Sequence, residues 1–193
     1  MQENYLNQED KEKNIKEPKK ESLLSYMTML ISAVVLALLI RHFIFSVNEV
    51  KGQSMFPTFH DGDRVISLIL PLKFHGPNRG DVVIIDSPIE KKKQYIKRII
   101  GLPNDNITLI DGHFYINGEK LEEKYLDELI YTSADSDSWQ LADDEYFVCG
   151  DNRPNSSDSR VFGPIKKEHI RGIVSFRFWP ISEFGTIGGN DGQ

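Results

Sequence analysis

Three short stretches hold the residues able to do chemistry. The first is Gly52-Gln53-Ser54-Met55-Phe56-Pro57-Thr58, which places a serine just after a long apolar run. A serine hydroxyl is a weak nucleophile until a base takes its proton. His60, six residues on, is the nearest histidine, but no Ser-His-Asp pattern accompanies it. A lysine serves as base only when neutral, so its reference pKa of about 10.4 must fall by several units, and desolvation can achieve this. Lys97, in the second stretch "QYIKRIIGLP", is the lysine whose surroundings suggest that. On strand alternation Tyr95, Lys97 and Ile99 share one face, and Ile96, Arg98 and Ile100 the other. The run Lys91-Lys92-Lys93 reads as solvated. An exposed strand lysine remains the plainer reading of Lys97 from its neighbours alone. The third stretch, "GDNRPNSSDSR" (Gly150–Arg160), packs three serines, two Asp and two Arg into eleven residues. That density suits a hydrogen-bonded network that orients something, although a polar loop explains it as well.

Other chemistries fit poorly. The net charge of -6 argues against nucleic acid as a partner. The five histidines and single cysteine, Cys149, form no His-x-x-x-His or Cys-x-x-Cys pair, so neither a metal site nor an intrachain disulfide is expected.

The elements that must position these groups begin with an anchor. Ser22–Ile40 is 19 residues without a charge. A helix of that length spans about 28 Å, close to the hydrocarbon core of a bilayer. A cleaved signal peptide would have a shorter apolar core and a small-residue cleavage site, and a buried soluble helix would show a polar face. Five lysines precede the run, against Arg41 and Lys51 beyond it, so the N-terminus is expected on the cytoplasmic side. Residues 1–21 read as a disordered cytoplasmic tail, 22–45 as the transmembrane anchor and 46–193 as an extracytoplasmic β-rich domain. In that domain Asp63–Leu70, Asp81–Asp86, "YFVCG" and "GIVSFRFWP" read as strands. Asp111-Gly112 and Asn117-Gly118 mark the two turns of a three-stranded meander over Ile107–Leu121. Helical patterning after residue 50 is confined to a weak candidate at Glu122–Tyr131. Residues 119–145 hold ten acidic residues against two lysines and read as a solvated insertion on the rim.

In combination and order, these segments resemble the type I signal peptidases, membrane-anchored endopeptidases of family S26. The matching segments are "GQSMFPT" after the anchor, "GDRVI", "RGDVVIID", "YIKRIIGLPND" and "GDNRPNSSDSR-VFGPI", spread over about residues 22 to 180. The resemblance implies a mainly antiparallel β fold and a Ser-Lys dyad, with Ser54 as nucleophile and Lys97 as general base. It implies that Ser156 orients the lysine, that Asp158 and Arg160 form a structural pair, and that the Ser54 backbone N–H helps bind the oxyanion. Met55, Tyr95 and Ile96 are the expected walls of shallow apolar substrate pockets. The expected partners are secretory preproteins with small residues at the first and third positions before the cut, and the lipid bilayer. A monomer without cofactor is expected. Two departures stand out. Gly52 occupies a position where some members carry a serine that assists the oxyanion, as in many Gram-positive-type members. The "GLPGD" pattern reads "GLPND", with Asn104 expected to tolerate the turn. The rivals are a Ser-Lys autoprotease, a non-enzymatic membrane-tethered β-domain and an inactive family member.

Overall fold

The computed structural model describes residues 23–127 and 130–187, without the side chains of Arg41 and His42. The expected tail at 1–21 lies outside the described residues. The chain divides between Leu39 and Ile40 into two units.

The first unit holds most of helix α1 (Leu23–Phe43). Its window Leu23–Ile40 has a mean hydropathy of 2.4, and none of it is buried. The helix is apolar on every side rather than along a stripe, which suits a lipid solvent better than a protein core. Two of its hydroxyls are satisfied internally: Thr28 Oγ1 donates to the Ser25 carbonyl and Ser32 Oγ to that of Met29. By length and composition α1 can cross a membrane. It ends at Phe43, and Phe45 already opens the first strand, inside the segment expected as anchor.

The second unit is mainly antiparallel β-sheet. Its large sheet contains β1 (Phe45–Glu49), β2 (Arg64–Leu68), β3 (Val82–Asp86), β4 (Gln94–Gly101), β9 (Glu145–Cys149), β10 (Ile165–Lys166) and β11 (Ile170–Trp179), in the order β1-β2-β11-β3-β4-β9-β10. A short strand, β12 (Gly185–Thr186), adds to β11. The small sheet runs β7-β6-β5-β8, from β5 (Asn106–Ile110), β6 (His113–Ile116), β7 (Glu119–Lys120) and β8 (Ser138–Gln140).

Apolar alternation explains the layering. On β3, Val82 and Ile84 enter one cluster with Val50, Met55, Phe59 and Ile96, while Val83 and Ile85 enter another with Ile99 and Val148. A third cluster, around Ile100, Ile107, Phe114 and Phe147, joins the two sheets. The central strands are therefore buried on both faces and lack the apolar–polar alternation of a half-exposed sheet. Both meander turns have the positive φ their sequences imply: 50° and 80° at Asp111 and Gly112, and 53° and 89° at Asn117 and Gly118. Asn104 takes φ 68° and keeps the turn after β4, where the Asp105 carboxylate accepts from the Leu102 N–H at 2.6 Å.

Two local expectations fail. Leu70–Phe74 is a short helix, α2, with Pro71 in its first turn, where a missing N–H costs nothing. Glu122–Tyr131 forms no helix among its described residues. Its Glu123 and Tyr125 are drawn to buried arginines instead, as described below.

Phe59 is fully buried and pins the serine loop into the first cluster. Phe59→Ala is expected to cost about 3–5 kcal/mol by emptying that position. Urea unfolding of the detergent-solubilised chain, followed by tryptophan fluorescence, measures the loss.

Candidate active site

The serine loop joins β1 to β2. Met55 and Phe59, both buried, hold it from below, and the Phe59 N–H donates to the Met55 carbonyl at 2.9 Å. Gly52 takes φ 84°, and its N–H donates to Asp61 Oδ1 at 2.7 Å. Ser54 is left half-buried at the crest of the loop. Its N–H makes no hydrogen bond among the described residues, whereas its carbonyl accepts from the Asn152 N–H at 3.0 Å.

Lys97 comes from the middle of β4, opposite Val83 of β3. Its side chain is almost wholly buried, and Nζ donates to Ser54 Oγ at 2.7 Å. The Tyr95 ring lies 5.3 Å from the amine. Burial lowers the lysine to about 8, an effect that the charge of Asp158 partly opposes. No carboxylate forms a salt bridge with it among the described residues, so desolvation meets no direct counter-ion.

The polar stretch 150–160 backs this pair. Gly150 sits so close to the serine that a Cβ there would stand 2.3 Å from the Ser54 carbonyl oxygen and 2.2 Å from Ser156 Oγ. Only glycine fits. Asn152 clasps the serine loop twice, through its N–H to Ser54 and through Nδ2 to the Gln53 carbonyl at 3.0 Å. Asp158 caps α3 (Ser159–Phe162), accepts from the Gly150 N–H at 3.0 Å and pairs in bidentate fashion with Arg160 at 2.8 and 2.7 Å. Burial pushes the Asp158 carboxyl up, but the Arg160 hydrogen bonds and charge outweigh it, and the group ends below the usual carboxylate range. Ser156 is brought beside the site, yet its buried Oγ makes no full hydrogen bond among the described residues. It lies near enough to Asp158 to help lower that carboxyl. The bond expected from Ser156 to Lys97 is not made.

Other expected residues separate. Tyr95 and Ile96 line a cleft of about 570 Å³ together with Ser54, Lys97, Val50, Val65 and Ile84. Met55 does not line it, because the side chain turns inward and is 1% exposed. His60 is exposed, stacks edge-on against Phe56, and makes no hydrogen bond to Ser54.

Sequence reasoning missed the ion pairs that hold the frame. Arg98, next to Lys97 but on the other face of β4, pairs with Asp151 at 2.9 and 2.7 Å and donates to the Gly80 carbonyl. Thr58 Oγ1 donates to the same Asp151 at 2.6 Å, tying the serine loop to the network. Arg153, completely buried, donates to Glu123, to Thr132 Oγ1 and to the Gly150 carbonyl. A charge between Ile96 and Ile100 on an apolar face was the available signal for Arg98, since a buried guanidinium requires a partner. Nothing local marks Glu123 among ten acidic residues.

Residues 23–179 match the family described as signal peptidase, peptidase S26. The chain is 42% identical over 175 residues to a signal peptidase I of Bacillus licheniformis, covering 86% of this chain and 93% of that one. It is 40% identical over 176 residues to signal peptidase I S of Bacillus subtilis (strain 168), covering 86% and 94%. It is 37% identical over 181 residues to signal peptidase IB of Staphylococcus aureus, again covering 86% and 94%. A solved signal peptidase I from Enterococcus faecalis V583 aligns at 33% identity and a TM-score of 0.45, over 50% of this chain and 95% of that one. The family match and these relatives, over most of the chain, make it a serine-type endopeptidase, a hydrolase. The chain belongs to the signal peptidase family, peptidase S26.

The buried amine sets a stability test. Folding lowers the pKa of Lys97, so the unfolded chain binds more protons between about pH 8 and the reference lysine value. Stability from this group therefore rises with pH across that window and is lowest below it. Lys97→Met is expected to stabilise the fold at pH 7 by on the order of 2 kcal/mol, an advantage that fades by about pH 10. Urea midpoints of parent and variant at pH 7 and 10 check it.

Proposed function

We propose that this chain removes N-terminal signal peptides from secreted preproteins at the outer face of the cytoplasmic membrane, through a Ser54–Lys97 dyad and an acyl-enzyme intermediate. The observation that carries the reading is the 2.7 Å contact between Lys97 Nζ and Ser54 Oγ, with the amine buried and lowered to about 8. At that value an appreciable fraction is neutral near physiological pH, which no exposed lysine achieves.

Neutral Lys97 takes the proton of Ser54 as the hydroxyl attacks the scissile carbonyl. The free Ser54 N–H is the donor for the developing oxyanion, with Gly52 offering no side chain to assist. The protonated lysine gives its proton to the leaving amine as the ester forms. It then takes a proton from water as the water attacks the ester, and returns that proton to Ser54 Oγ as the C–Oγ bond breaks. Asn152, Gly150 and the Asp158–Arg160 pair hold the serine loop through these steps. Ser156 is the nearest hydroxyl to complete the lysine's orientation once substrate is bound. Val50, Val65, Ile84 and Ile96 line a cleft suited to small side chains at the first and third positions before the cut. The helix α1 and the excess of lysines in residues 1–22 favour a cytoplasmic N-terminus and an outer catalytic unit. Confinement to the membrane that also holds the substrate's apolar segment raises their effective concentration.

The test is cleavage of a preprotein by the detergent-solubilised chain. Ser54→Ala and Lys97→Ala are expected to lose at least about a thousandfold in kcat/KM while remaining folded, as nucleophile and base act as a unit. The parent's kcat/KM is expected to fall about tenfold per pH unit below about 8 and to level off above it, because only the neutral amine acts. A Lys97→Ala variant as active as the parent, or a profile flat from pH 6 to 9, overturns the dyad.

A further inference from the structure

The cleft beside Ser54 adjoins a second compartment. This neighbour, of about 450 Å³, shares Asn48, Ile84 and Gln94 with the first, so the two meet across those residues. Their lining differs in kind. Near Ser54 the walls are apolar, and the charged rim is mixed, with Glu49 and Glu90 beside Lys51, Lys92 and Lys93. The second compartment has Leu72 and Ile170 in its floor and Lys73, Lys167 and Arg171 in its walls. No carboxylate lines it among the described residues. In a chain of net charge -6, a lining with three cations and no carboxylate runs against the average charge. Arg171 is committed to Asp86. Lys73 and Lys167 form no salt bridge among the described residues, although Lys73 lies 5.3 Å over the Phe43 ring. Asn48 Nδ2 donates to Ser67 Oγ at 2.8 Å, which fixes a polar partition where the compartments meet.

We propose that substrate recognition extends from the cleft at Ser54 into this second compartment, which takes an acidic side chain of the substrate. The proposal rests on the peptidase reading above. Gln94 lies three residues from Lys97 along β4, a separation of about 10 Å at about 3.3 Å per strand residue. An extended substrate with its scissile carbonyl at Ser54 therefore reaches the partition with a residue three or four positions away. The next residues enter the cationic compartment. The cleft at Ser54 selects small side chains by size, and the compartment beyond it selects by charge.

The experiment uses the full chain in neutral detergent and synthetic peptides that share one small-x-small cleavage site. Glutamate and glutamine are placed in turn at each position three to six residues from the cut, on both sides. At one or two neighbouring positions glutamate is expected to lower KM by about threefold to tenfold relative to glutamine, the range that one or two partly exposed ion pairs supply. kcat should be unchanged. The preference should shrink as salt is raised from low to about 0.5 M. In a Lys73→Gln/Lys167→Gln double variant the ratio of the two KM values should fall to one. Equal KM values for glutamate and glutamine at every position overturn the proposal, as does a preference that survives in the double variant. Vesicles with and without phosphatidylglycerol separate a lipid role. If the double variant changes cleavage only with the anionic lipid, and equally for both peptides, the compartment holds a headgroup and the proposal fails. Ser54-dependent cleavage of the glutamine peptides is the control. If it holds while glutamate gives no preference, only the compartment is at fault. If it is absent, the peptidase reading fails and the proposal falls with it.

Discussion

An ammonium group on the central strand of a sheet, in contact with a serine hydroxyl and without a carboxylate at bonding distance, is the constraint around which the unit is arranged. Lys97 is almost wholly buried, and among the described residues its side chain makes one hydrogen bond, to Ser54 Oγ. A carboxylate in that place would make the lysine a permanent cation and satisfy its burial cheaply. The structure keeps Asp158 and Asp151 in the neighbourhood but commits them elsewhere, to Arg160 and Arg98. Their charges still reach Lys97 through space and moderate its fall, so the amine settles at about 8 rather than lower. The arginines thus do two things. They satisfy buried carboxylates, and they withhold those carboxylates from the lysine.

The second consequence concerns the serine loop. A nucleophile at the crest of a loop must be held as firmly as one on a strand, because a displacement of about 1 Å can cost a hundredfold in rate. Three separate ties supply this. Met55 and Phe59 anchor the loop into the apolar cluster, Thr58 reaches Asp151, and Asn152 with Gly150 holds the Gln53 and Ser54 carbonyls. Asp151 receives both Thr58 and Arg98, so the strand that carries the lysine and the loop that carries the serine meet on one carboxylate. Arg153 extends the frame to Glu123 and Thr132, which brings part of the acidic 119–145 stretch into the support of Gly150. That part is not a solvated rim. A buried ion pair of this kind adds little net stability, but removing one partner leaves a charge uncompensated, so the network resists rearrangement.

How much of this was legible depended on distance along the chain. The turns at Asp111-Gly112 and Asn117-Gly118 were readable because two adjacent residues set their φ angles. Strand β3 was readable from its unbroken β-branched run, β4 from the isoleucines on either side of Lys97-Arg98, and α1 from its length without a charge. The conjunction of "GQSMFPT" with "YIKRII" brought Ser54 and Lys97 forward as a pair, although no spacing rule says that residues 43 apart will meet at 2.7 Å. What stayed hidden is what long-range pairing decides. Glu123 reaches Arg153 from 30 residues away and Arg98 reaches Asp151 across 53. The same pull explains the failed helix at Glu122–Tyr131, since Glu123 and the Tyr125 ring, stacked 3.8 Å from the Arg98 guanidinium, gain more from the arginines than from a marginal helical turn. Met55 was misplaced for a related reason. Its neighbour Ser54 faces the cleft, and in a tight turn adjacent side chains diverge, which sends the methionine into the core.

In the proposed mode of recognition the two cavities divide the labour along physical lines. An apolar cleft of branched side chains excludes bulk but discriminates weakly between small residues, because one methylene is worth only about 1–3 kcal/mol. A charged compartment has a different weakness: exposed ion pairs contribute little and are screened by salt. Placed in series along one extended substrate, the two contributions multiply in kcat/KM, as binding free energies at separate sites add. Size selection belongs next to Lys97, where apolar burial keeps the amine's pKa low, and any cation there would lower it further. Charge selection has to stand off by several residues, where solvent reaches the lysines and their field no longer bears on the buried amine. Gln94, which borders both cavities, lies three residues from Lys97 along β4. In the proposed mechanism, the burial that lowers Lys97 therefore also dictates where on the substrate charge can be read.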